Sequence, residues 1–299
     1  MGLRLDDGDL RLLLTVRRFE EALLRLFEQG RIDGTTHTCL GQEYVPVALK
    51  PLLTEHDYVF SHHRGHGHYL ARFEDPVPLL AEIMGRTGGV CDGVGGSQHL
   101  HRDRYFSSGV QGESLPVAVG AALSLKREGR GGVALAYIGD GTFGEGSVYE
   151  ALNMARLWEV PLAVVVENNH IAQTTPAERH MAGSVRGRAA AFDITYHGTS
   201  SQEIPDIRRE LEPLLRRVRE HGEPLVVEFD TVRVGPHSKG DDTRDEVWLQ
   251  AARERDWHAA YRRAHPAQFA SVDAQARVCV DAAVAEVVAR EPATWLVTC

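Results

Sequence analysis

The chain has 299 residues, of which 43% are apolar and 25% are charged, and 42 acidic against 33 basic side chains give it a formal net charge of −9. The apolar share is ample for a packed core, whereas the negative charge disfavours nucleic acids and anionic membranes as partners. No run of about 18 apolar residues occurs, so we expect no membrane-spanning segment.

The four cysteines, at positions 39, 91, 279 and 299, are scattered without CxxC spacing. This distribution predicts neither a disulfide framework nor a zinc knuckle, and it fits a reducing compartment. The first 13 residues contain three aspartates and no uninterrupted apolar core, unlike a signal or transit peptide. We therefore expect a cytoplasmic protein.

Taken in chain order, the first part of the sequence predicts helices separated by glycine signals. Helices are expected over residues 10–29, 42–52, 75–84 and 115–126. The first has a broad apolar face and ends at Gly30. Residues 88–97 form a glycine-rich loop whose backbone N–H groups are expected to approach a ligand or another subunit closely.

The segment 132–169 predicts a βαβ unit. Apolar runs over residues 133–138 and 162–166 are typical of buried parallel strands, and a helical segment over residues 147–156 connects them. A polar cluster follows each run directly. These clusters are therefore expected at the carboxyl ends of strands, where open α/β sheets bind ligands.

Further along the chain, an amphipathic helix is predicted over residues 202–220 and a strand over residues 225–232. After Asp245 the sequence is typical of helices, with breaks around Pro266 and Pro292. These elements predict a single α/β domain over residues 1–299. Its core is expected over about residues 34–246, with an N-terminal helix over 10–29 and a C-terminal helical extension over 246–292.

Gly139, Gly141 and Gly144 match the GxGxxG fingerprint of dinucleotide sites. In such a site the pyrophosphate lies against bare backbone, and a carboxylate at Asp140 would repel it. If Asp140 binds Mg²⁺ instead, the metal joins the carboxylate to diphosphate oxygens, and Asn169 can supply a further oxygen from the next strand end. The alternative is a plain strand-turn-helix junction in which these polar residues serve only as cap and turn.

Gly139-Asp140-Gly141 followed by Asn168-Asn169 resembles the signature of thiamine-diphosphate enzymes. Further motifs recur in the same order in the alpha chains of the decarboxylating components of 2-oxo acid dehydrogenases of the pyruvate, branched-chain 2-oxo acid and acetoin type. They are His63-Arg64-Gly65-His66-Gly67, Gly85-Arg86-Thr87-Gly88-Gly89, Gly95-Gly96-Ser97-Gln98-His99, Glu150-Ala151-Leu152-Asn153-Met154-Ala155 and Gly235-Pro236-His237-Ser238. The resemblance covers roughly residues 34–246.

This resemblance implies a three-layer α/β sandwich with a mostly parallel sheet, the thiamine-diphosphate-binding fold of the diphosphate-binding type, with helical extensions at both ends. It implies thiamine diphosphate and Mg²⁺ as cofactors, with the metal held by Asp140, Asn169 and the backbone carbonyl of Ile171. Arg64 corresponds to a clamp on the diphosphate. The implied cofactor-binding residues are His63, Arg64, Gly109, Gln111, Gly139, Asp140, Gly141, Thr142, Asn169 and His237, and His237 and His63 are the implied catalytic residues.

The histidine-rich run from His62 to His68 allows two other interpretations. A zinc site is one, because imidazoles are common ligands, but Arg64 is a permanent cation among them and no cysteine or carboxylate stands nearby in the sequence. A plain loop of surface histidines is the other.

The resemblance also implies a second subunit. No candidate is evident for the carboxylate that activates the pyrimidine ring, because Glu43 is expected to be a helix N-terminal residue. In two-chain relatives a beta subunit supplies that glutamate with the pyrimidine-binding half, which implies an α2β2 assembly. A lipoyl-bearing acyltransferase or another acyl carrier would then receive the acyl group. Ser238 matches a site that kinases modify in mitochondrial relatives, a regulation that we do not expect here.

Three functions are compatible with these residues. The leading hypothesis is the alpha subunit of an enzyme that decarboxylates a small-molecule 2-oxo acid and transfers the acyl group to a lipoyl-type acceptor. The second is an acyl or ketol transferase or carboligase with the same cofactor that acts on an aldehyde, a ketone or a carrier-bound acceptor. The third, a catalytically silent assembly subunit, is disfavoured by the joint presence of Asp140, Asn169, Arg64 and His237.

The sequence departs from the family in three places. It is shorter than most alpha chains. Residues 170–176, His-Ile-Ala-Gln-Thr-Thr-Pro, stand where relatives often have Gly-Tyr-Ala-Ile-Ser-Thr-Pro, so the donor pocket is not defined by the resemblance. Residues 196–200, Tyr-His-Gly-Thr-Ser, replace a turn of the Val-Asp-Gly-Asn-Asp type.

Overall fold

The computed structural model of the chain describes residues 1–238 and 242–294. Its α-helices are α1 (Asp7–Glu28), α2 (Tyr44–Leu49), α3 (His66–Phe73), α4 (Pro76–Ile83), α5 (Ser114–Glu128), α6 (Gly146–Leu157), α7 (Val185–Ala191), α8 (Ile204–His221), α9 (Glu246–Glu254), α10 (Trp257–Ala264) and α11 (Pro266–Val288). Its strands are β1 (Tyr58–Ser61), β2 (His101–Arg102), β3 (Tyr105–Ser107), β4 (Ala134–Gly139), β5 (Leu162–Asn168), β6 (Ile171–Ala172), β7 (Thr175–Pro176), β8 (Thr195–Thr199) and β9 (Leu225–Asp230).

Seven strands form one sheet in the order β2-β3-β1-β4-β5-β9-β8. The pair β2 and β3 is antiparallel, and the other neighbouring pairs of the sheet are parallel. Gly139 at the end of β4 pairs with Glu167, and Asn168 at the end of β5 pairs with Asp230. The residues that follow β4, β5 and β9 therefore emerge side by side at one edge of the sheet.

Alternate side chains of the central strands enter two apolar cores, one on each face of the sheet. In β4, Leu135 and Tyr137 belong to one core, and Ala134, Ala136 and Ile138 belong to the other. Helices α1, α2, α3, α4, α8, α10 and α11 contribute to the first core, and α5, α6 and α7 contribute to the second. This layering confirms the predicted three-layer α/β sandwich with a mostly parallel sheet.

The predicted helices and strands are present, with ends shifted by a few residues. Helix α1 begins at Asp7, three residues early, because the carboxylate of Asp6 caps it by accepting the Asp9 backbone N–H at 2.9 Å. The helix predicted over 42–52 is shorter and continues as a 3-10 turn over Lys50–Leu52. The predicted break around Pro266 is confirmed, because α10 ends at Ala264 and Pro266 begins α11, where its missing N–H costs nothing.

Two elements differ from possibilities that the sequence left open. The histidine-rich run is not the plain loop of one alternative interpretation, because His66 begins helix α3. Residues 196–199, which replace a turn of the relatives, lie in strand β8. Strand β8 is the edge strand beside β9, and its side chains are exposed or half-buried. A strand with no fully buried face lacks the apolar run or alternation by which strands are recognised in a sequence.

Within the described ranges, no helix combines the length and apolarity needed to cross a membrane. Cys39, Cys91 and Cys279 are free thiols, and Cys299 lies outside the described residues.

Candidate functional site

A cavity of about 500 Å³ opens at the carboxyl ends of β4 and β5. Every residue to which the sequence analysis gave a metal, cofactor or catalytic role borders it: His63, Arg64, Gly109, Gln111, Gly139, Asp140, Gly141, Thr142, Asn169, Ile171 and His237. These residues come from five separate stretches of the chain. The fold therefore brings the whole predicted set to one place.

Two buried oxygens in this cavity have no hydrogen-bond partner among the described residues, namely Oδ2 of Asp140 and Oδ1 of Asn169. The amide nitrogen of Asn169 donates to Oε1 of Gln42 at 3.1 Å, which leaves its oxygen as the group that faces the ligand space. Burial raises the pKa of Asp140, although the backbone N–H groups of Asp140 and Asn169 and the charges of His170 and His180 oppose that rise. A buried carboxylate beside an unpaired amide oxygen suits a hard cation.

The turn after β5 brings Ile171 to the same cavity. His170 makes this turn with a φ of 64°, in the left-handed region. Its backbone N–H donates to Oδ1 of Asn168 at 3.0 Å, and its ring Nε2 lies 2.8 Å from Oδ1 of Asp230. These contacts stabilise a conformation that a glycine would adopt without strain.

Arg64 is buried beside the cavity, with 3% of its surface exposed. Its guanidinium donates to the carbonyl of Thr38 at 2.9 Å and to Nδ1 of His237 at 3.0 Å. Across the described part of the chain, no carboxylate forms an ion pair with it. Burial lowers the pKa of Arg64, and the nearby charge of Arg233 lowers it further. An anionic ligand would neutralise this buried cation.

Three imidazoles meet at the cavity. The ring centroid of His37 lies 4.7 Å from that of His63 and 4.7 Å from that of His237, and the last two are 5.6 Å apart. Thr142 donates its hydroxyl to Oε1 of Gln111 at 2.7 Å, and the amide nitrogen of Gln111 then donates to Nδ1 of His63 at 2.8 Å. Nδ1 of His63 is thus the acceptor, and its proton is on Nε2.

The protonation state of His63 follows from its surroundings. Burial lowers its pKa well below the usual range, and the charges of Arg64 and the neighbouring histidines act in the same direction. The ring is therefore neutral near pH 7, in the form that donates from one nitrogen and accepts at the other.

The alternative interpretation as surface histidines is wrong for His62 and His68, which are both buried. The sequence places no carboxylate near these two histidines, which argued against zinc. In the structure, however, a carboxylate lies close to both of them. Nε2 of His62 lies 2.9 Å from Glu167 Oε2, and Nε2 of His68 lies 3.4 Å from Glu167 Oε1. Burial opposes ionisation of Glu167, yet the two imidazoles lower its pKa to about 2.

This buried His62, His68 and Glu167 cluster has the composition of a metal site, because one ligand atom from each lies within 4.8 Å of the others. The hydrogen bonds argue against that use. Nδ1 of His62 accepts the backbone N–H of Arg64 at 3.1 Å, so Nε2 carries the proton that is donated to Glu167. A protonated nitrogen cannot bind a metal.

Glu43 does not border the cavity. It precedes α2, as expected for a helix N-terminal residue, and its buried carboxylate contacts Nε of Arg17 at 2.5 Å and the indole N–H of Trp257 at 2.7 Å. Ser238 is described, whereas residues 239–241 of the predicted polar loop lie outside the described part of the chain.

The sequence analysis assigned no role to four residues of this region: His37, Gln42, Gln98 and Arg233. The first three line the cavity, and the charge of Arg233 lowers the pKa of Arg64. Arg233 could have been found, because it follows strand β9 in the way that Asp140 and Asn169 follow β4 and β5. The others precede α2 or β2 and have no local pattern that marks a strand end.

A family model described as dehydrogenase E1 component matches residues 11–268. Over 238 residues the chain is 38% identical to the alpha subunit of an acetoin:2,6-dichlorophenolindophenol oxidoreductase from Cupriavidus necator, with 77% of this chain and 71% of that protein covered. Over 241 residues it is 37% identical to a pyruvate dehydrogenase E1 component subunit alpha from Zymomonas mobilis, with 78% and 68% covered. An acetoin oxidoreductase alpha subunit from Bacillus subtilis is 34% identical over 242 residues, with 78% and 73% covered.

A solved structure of a putative thiamin diphosphate-dependent enzyme from Mycobacterium smegmatis is a more distant match. It has a TM-score of 0.46 and 18% identity, and it covers 67% of this chain and 34% of its own. The assignment to a family depends instead on the match over residues 11–268 and on the identity to the curated alpha subunits. The chain therefore belongs to the dehydrogenase E1 component family.

Proposed function

We propose that this chain is the alpha subunit of a two-subunit thiamine-diphosphate enzyme that decarboxylates a 2-oxo acid and transfers the acyl group to a lipoyl-type acceptor. One observation carries the proposal. The unpaired oxygens of Asp140 and Asn169 and the unneutralised guanidinium of Arg64 border the same cavity. A metal ion bound to a diphosphate satisfies both needs. The metal cation would bind the two oxygens, and the diphosphate anion would pair with the arginine.

In this proposal Asp140, Asn169 and the carbonyl of Ile171 hold Mg²⁺, and Arg64 binds the diphosphate. Gly109, Gln111, Gly139, Gly141 and Thr142 supply the surrounding backbone and polar contacts. Close approach of a ligand at Gly139 is possible because a Cβ there would meet no atom within 4 Å. When bound, thiamine diphosphate supplies an electron sink for breaking the bond next to the carbonyl carbon of the donor.

The histidines would act on protons and on developing charge. His63 is neutral and has its proton on Nε2 because Nδ1 accepts from Gln111. Nδ1 of His237 faces the Arg64 guanidinium at 3.0 Å, so its proton is also on Nε2. Two neutral imidazole donors beside the cavity can stabilise negative charge on the oxo oxygen of a donor or return a proton to it.

The partner follows from the carboxylates that line the cavity. They are Asp140, Glu145 and Glu167. Asp140 is assigned to the metal, Glu167 is paired with two histidines, and Glu145 is exposed. No lining carboxylate of the described residues is therefore left to activate the pyrimidine ring. A beta subunit that supplies this glutamate, in an α2β2 assembly that passes the acyl group to a lipoyl-bearing acyltransferase, accounts for the gap.

The test compares the chain alone with the chain combined with its beta partner. We expect the isolated chain to bind Mg²⁺ and thiamine diphosphate weakly by calorimetry and to turn over no 2-oxo acid. Addition of the partner should tighten binding and restore decarboxylation, measured as CO₂ release with an artificial electron acceptor. Robust turnover by the isolated chain would overturn the two-subunit proposal.

A further inference from the structure

A second cavity, of about 800 Å³, is lined by helices α10 and α11 and by one residue of α1, and it shares no lining residue with the cavity at the ends of β4 and β5. Its lining residues recur three or four positions apart in α10 and in α11, so one face of each helix borders it. Four of the lining side chains are arginines, namely Arg18, Arg262, Arg263 and Arg277. We call this site the arginine cavity.

The arginine cavity carries an excess of positive charge. Asp273 is the one acidic side chain among its described lining residues, so four guanidinium groups share a single carboxylate. The chain as a whole has a net charge of −9, which makes this local excess opposite in sign to the molecule's overall charge. Positive charge gathered in a concave site attracts anions and raises their local concentration.

The carboxylate of Asp273 is already used by two of the arginines. Its Oδ1 accepts Nε of Arg18 at 2.6 Å, and its Oδ2 accepts Nε of Arg277 at 2.9 Å. Arg262 and Arg263 are exposed and form no hydrogen bond or ion pair with the described residues. These two guanidinium groups, together with the terminal nitrogens of Arg277, are therefore available to a ligand.

His258 borders the arginine cavity and lacks one hydrogen bond. Its Nε2 atom is buried and has no partner in the described parts of the chain. Its ring packs edge-on against Phe269, with 5.0 Å between the ring centroids. Burial lowers the pKa of His258, and the charges of Arg17 and Arg18 lower it further. An anion beside these arginines would offset their effect, so this imidazole should respond to a ligand in the cavity.

Small apolar side chains accompany the arginines. Ala259 of α10 and Ala270 and Ala274 of α11 line the same cavity. A volume of about 800 Å³ lies in the range of sites that bind small organic molecules, and it exceeds what one phosphate ion would fill. The cavity thus combines contacts for several anionic groups with an apolar surface for an organic group.

We propose that the arginine cavity binds an organic molecule that carries two or three phosphate groups, such as a nucleotide. Arg262, Arg263 and Arg277 bind the phosphates, because guanidinium groups match phosphate oxygens in both charge and geometry. The organic part lies against the alanines. This site goes beyond the proposed function and does not depend on it, since the cofactor cavity is built from other residues.

Calorimetry on the full chain tests the ligand class, with ADP, tripolyphosphate and adenosine as probes. We expect ADP and tripolyphosphate to bind, and adenosine to bind at least about a hundredfold more weakly than ADP, because it lacks the phosphates. Adenosine binding as tightly as ADP would overturn the proposal. Binding of a polyglutamate peptide but of neither phosphate probe would also overturn it, and would identify the surface as a contact for an acidic protein segment.

A double variant tests the assignment to these residues. Arg262→Gln combined with Arg263→Gln should weaken ADP binding by about tenfold or more, because two charge-assisted contacts are lost. The matched control is Arg216→Gln combined with Arg217→Gln, a pair of adjacent exposed arginines on α8, which should keep the wild-type affinity. Both double variants should melt like wild type without nucleotide. Equal losses of affinity in the two would indicate general charge attraction and overturn the proposal.

His258 supplies a readout that binding at the cofactor cavity would not move, since it lines the arginine cavity alone. In the full chain with isotopically labelled histidine, its ring signal is assigned by its loss in His258→Asn. ADP should shift that signal in wild type and in the α8 control, and should leave it in place in the Arg262 and Arg263 double variant. A stationary signal while calorimetry records ADP binding would place the nucleotide elsewhere on the chain and refute the site.

Discussion

Asp140 is buried, with 2% of its surface exposed, and its Oδ2 atom has no hydrogen-bond partner within the described ranges. If Asp140 binds Mg²⁺ as proposed, Asp140→Ala should abolish Mg²⁺-dependent binding of thiamine diphosphate, because the diphosphate would lose its bridge to the protein. Calorimetry with and without Mg²⁺ measures the effect. Asp281→Ala, at a carboxylate that is 71% exposed on α11, is the control and should bind like wild type. Wild-type affinity in Asp140→Ala would exclude Asp140 as a ligand.

Single residues were predictable where their position follows from a strand end. Asp140 and Asn169 each follow a short apolar run, and parallel strands bring their carboxyl ends together, so their meeting could be expected from sequence. The partners of Glu167 could not be predicted from the sequence. His62 and His68 lie 105 and 99 positions away in the chain, and their approach to Glu167 depends on β1 lying beside β4. Neither residue type nor local spacing contains that information.

At the scale of helices, Arg17 links α1 to the N-termini of α2 and α10. Its Nε contacts Glu43 at 2.5 Å, and its two terminal nitrogens contact the Asp256 carboxylate at 2.8 and 2.7 Å. Loss of one member of a buried network leaves the other charges unpaired. We expect Arg17→Met to lower the free energy of unfolding by about 3–5 kcal/mol, measured by urea denaturation.

Two further variants give this prediction its control. Arg25→Met removes a half-exposed arginine from the same helix, whose nearest carboxylate is 4.0 Å away, and should cost less than about 1 kcal/mol. Glu43→Gln placed on the Arg17→Met background should recover part of the loss, because one buried charge no longer needs a partner. Equal stabilities of Arg17→Met and Arg25→Met would show that the network contributes nothing.

The packing of α10 against α1 and α11 predicts a dependence of stability on pH. Burial lowers the pKa of His258 to about 4, the charges of Arg17 and Arg18 lower it further, and those of Asp256 and Glu21 oppose them. The unfolded chain has the ordinary value of 6.5. Because the folded pKa is the lower of the two, this contribution is complete above about pH 6.5 and is lost as the pH falls toward 4.

We expect His258 to account for roughly 1–2 kcal/mol of stability lost between about pH 7 and pH 4.5, after allowance for its partial exposure. The advantage of wild type over His258→Asn in urea unfolding should shrink by that amount over the same interval. His221→Asn, at an exposed histidine that ends α8, should instead follow the wild-type profile. A constant difference between wild type and His258→Asn would contradict the assignment.

The glycine-rich segment shows how far a pattern can predict an element. Five glycines over residues 88–97 predict exposed backbone N–H groups that approach a ligand or another subunit. The structure instead directs several of these groups inward, because the buried carboxylate of Glu82 accepts the N–H groups of Cys91, Gly93 and Gly95 at 2.6–2.8 Å. The glycine content predicts that backbone N–H groups are accessible as donors. It cannot predict that a side chain from a neighbouring helix will accept their hydrogen bonds.

For the molecule as a whole, the fold class could be predicted because the βαβ unit repeats one local pattern that parallel sheets require. The proposed incompleteness of the site could be inferred only through the resemblance. The structure supports the proposal at the cavity, where Val110, between the lining residues Gly109 and Gln111, is 51% exposed. Elsewhere on the surface, Val94 and Val117 are 66% and 60% exposed. We infer that such exposed apolar side chains belong to a surface that a partner covers.

Val117 on α5 offers a test of this view. It begins an exposed strip of the helix that includes Gly120, where an added Cβ would meet no atom within 4 Å. We expect Val117→Asp to weaken association with the beta subunit at least tenfold in analytical ultracentrifugation, because a buried charge at the contact would be unpaired. Val278→Asp is the matched control, since Val278 is 71% exposed on α11, which packs on the opposite face of the sheet. Both variants should keep the wild-type melting temperature as isolated chains. Equal association by the two would exclude the α5 surface, and impaired association by Val278→Asp alone would place the contact on the α11 side.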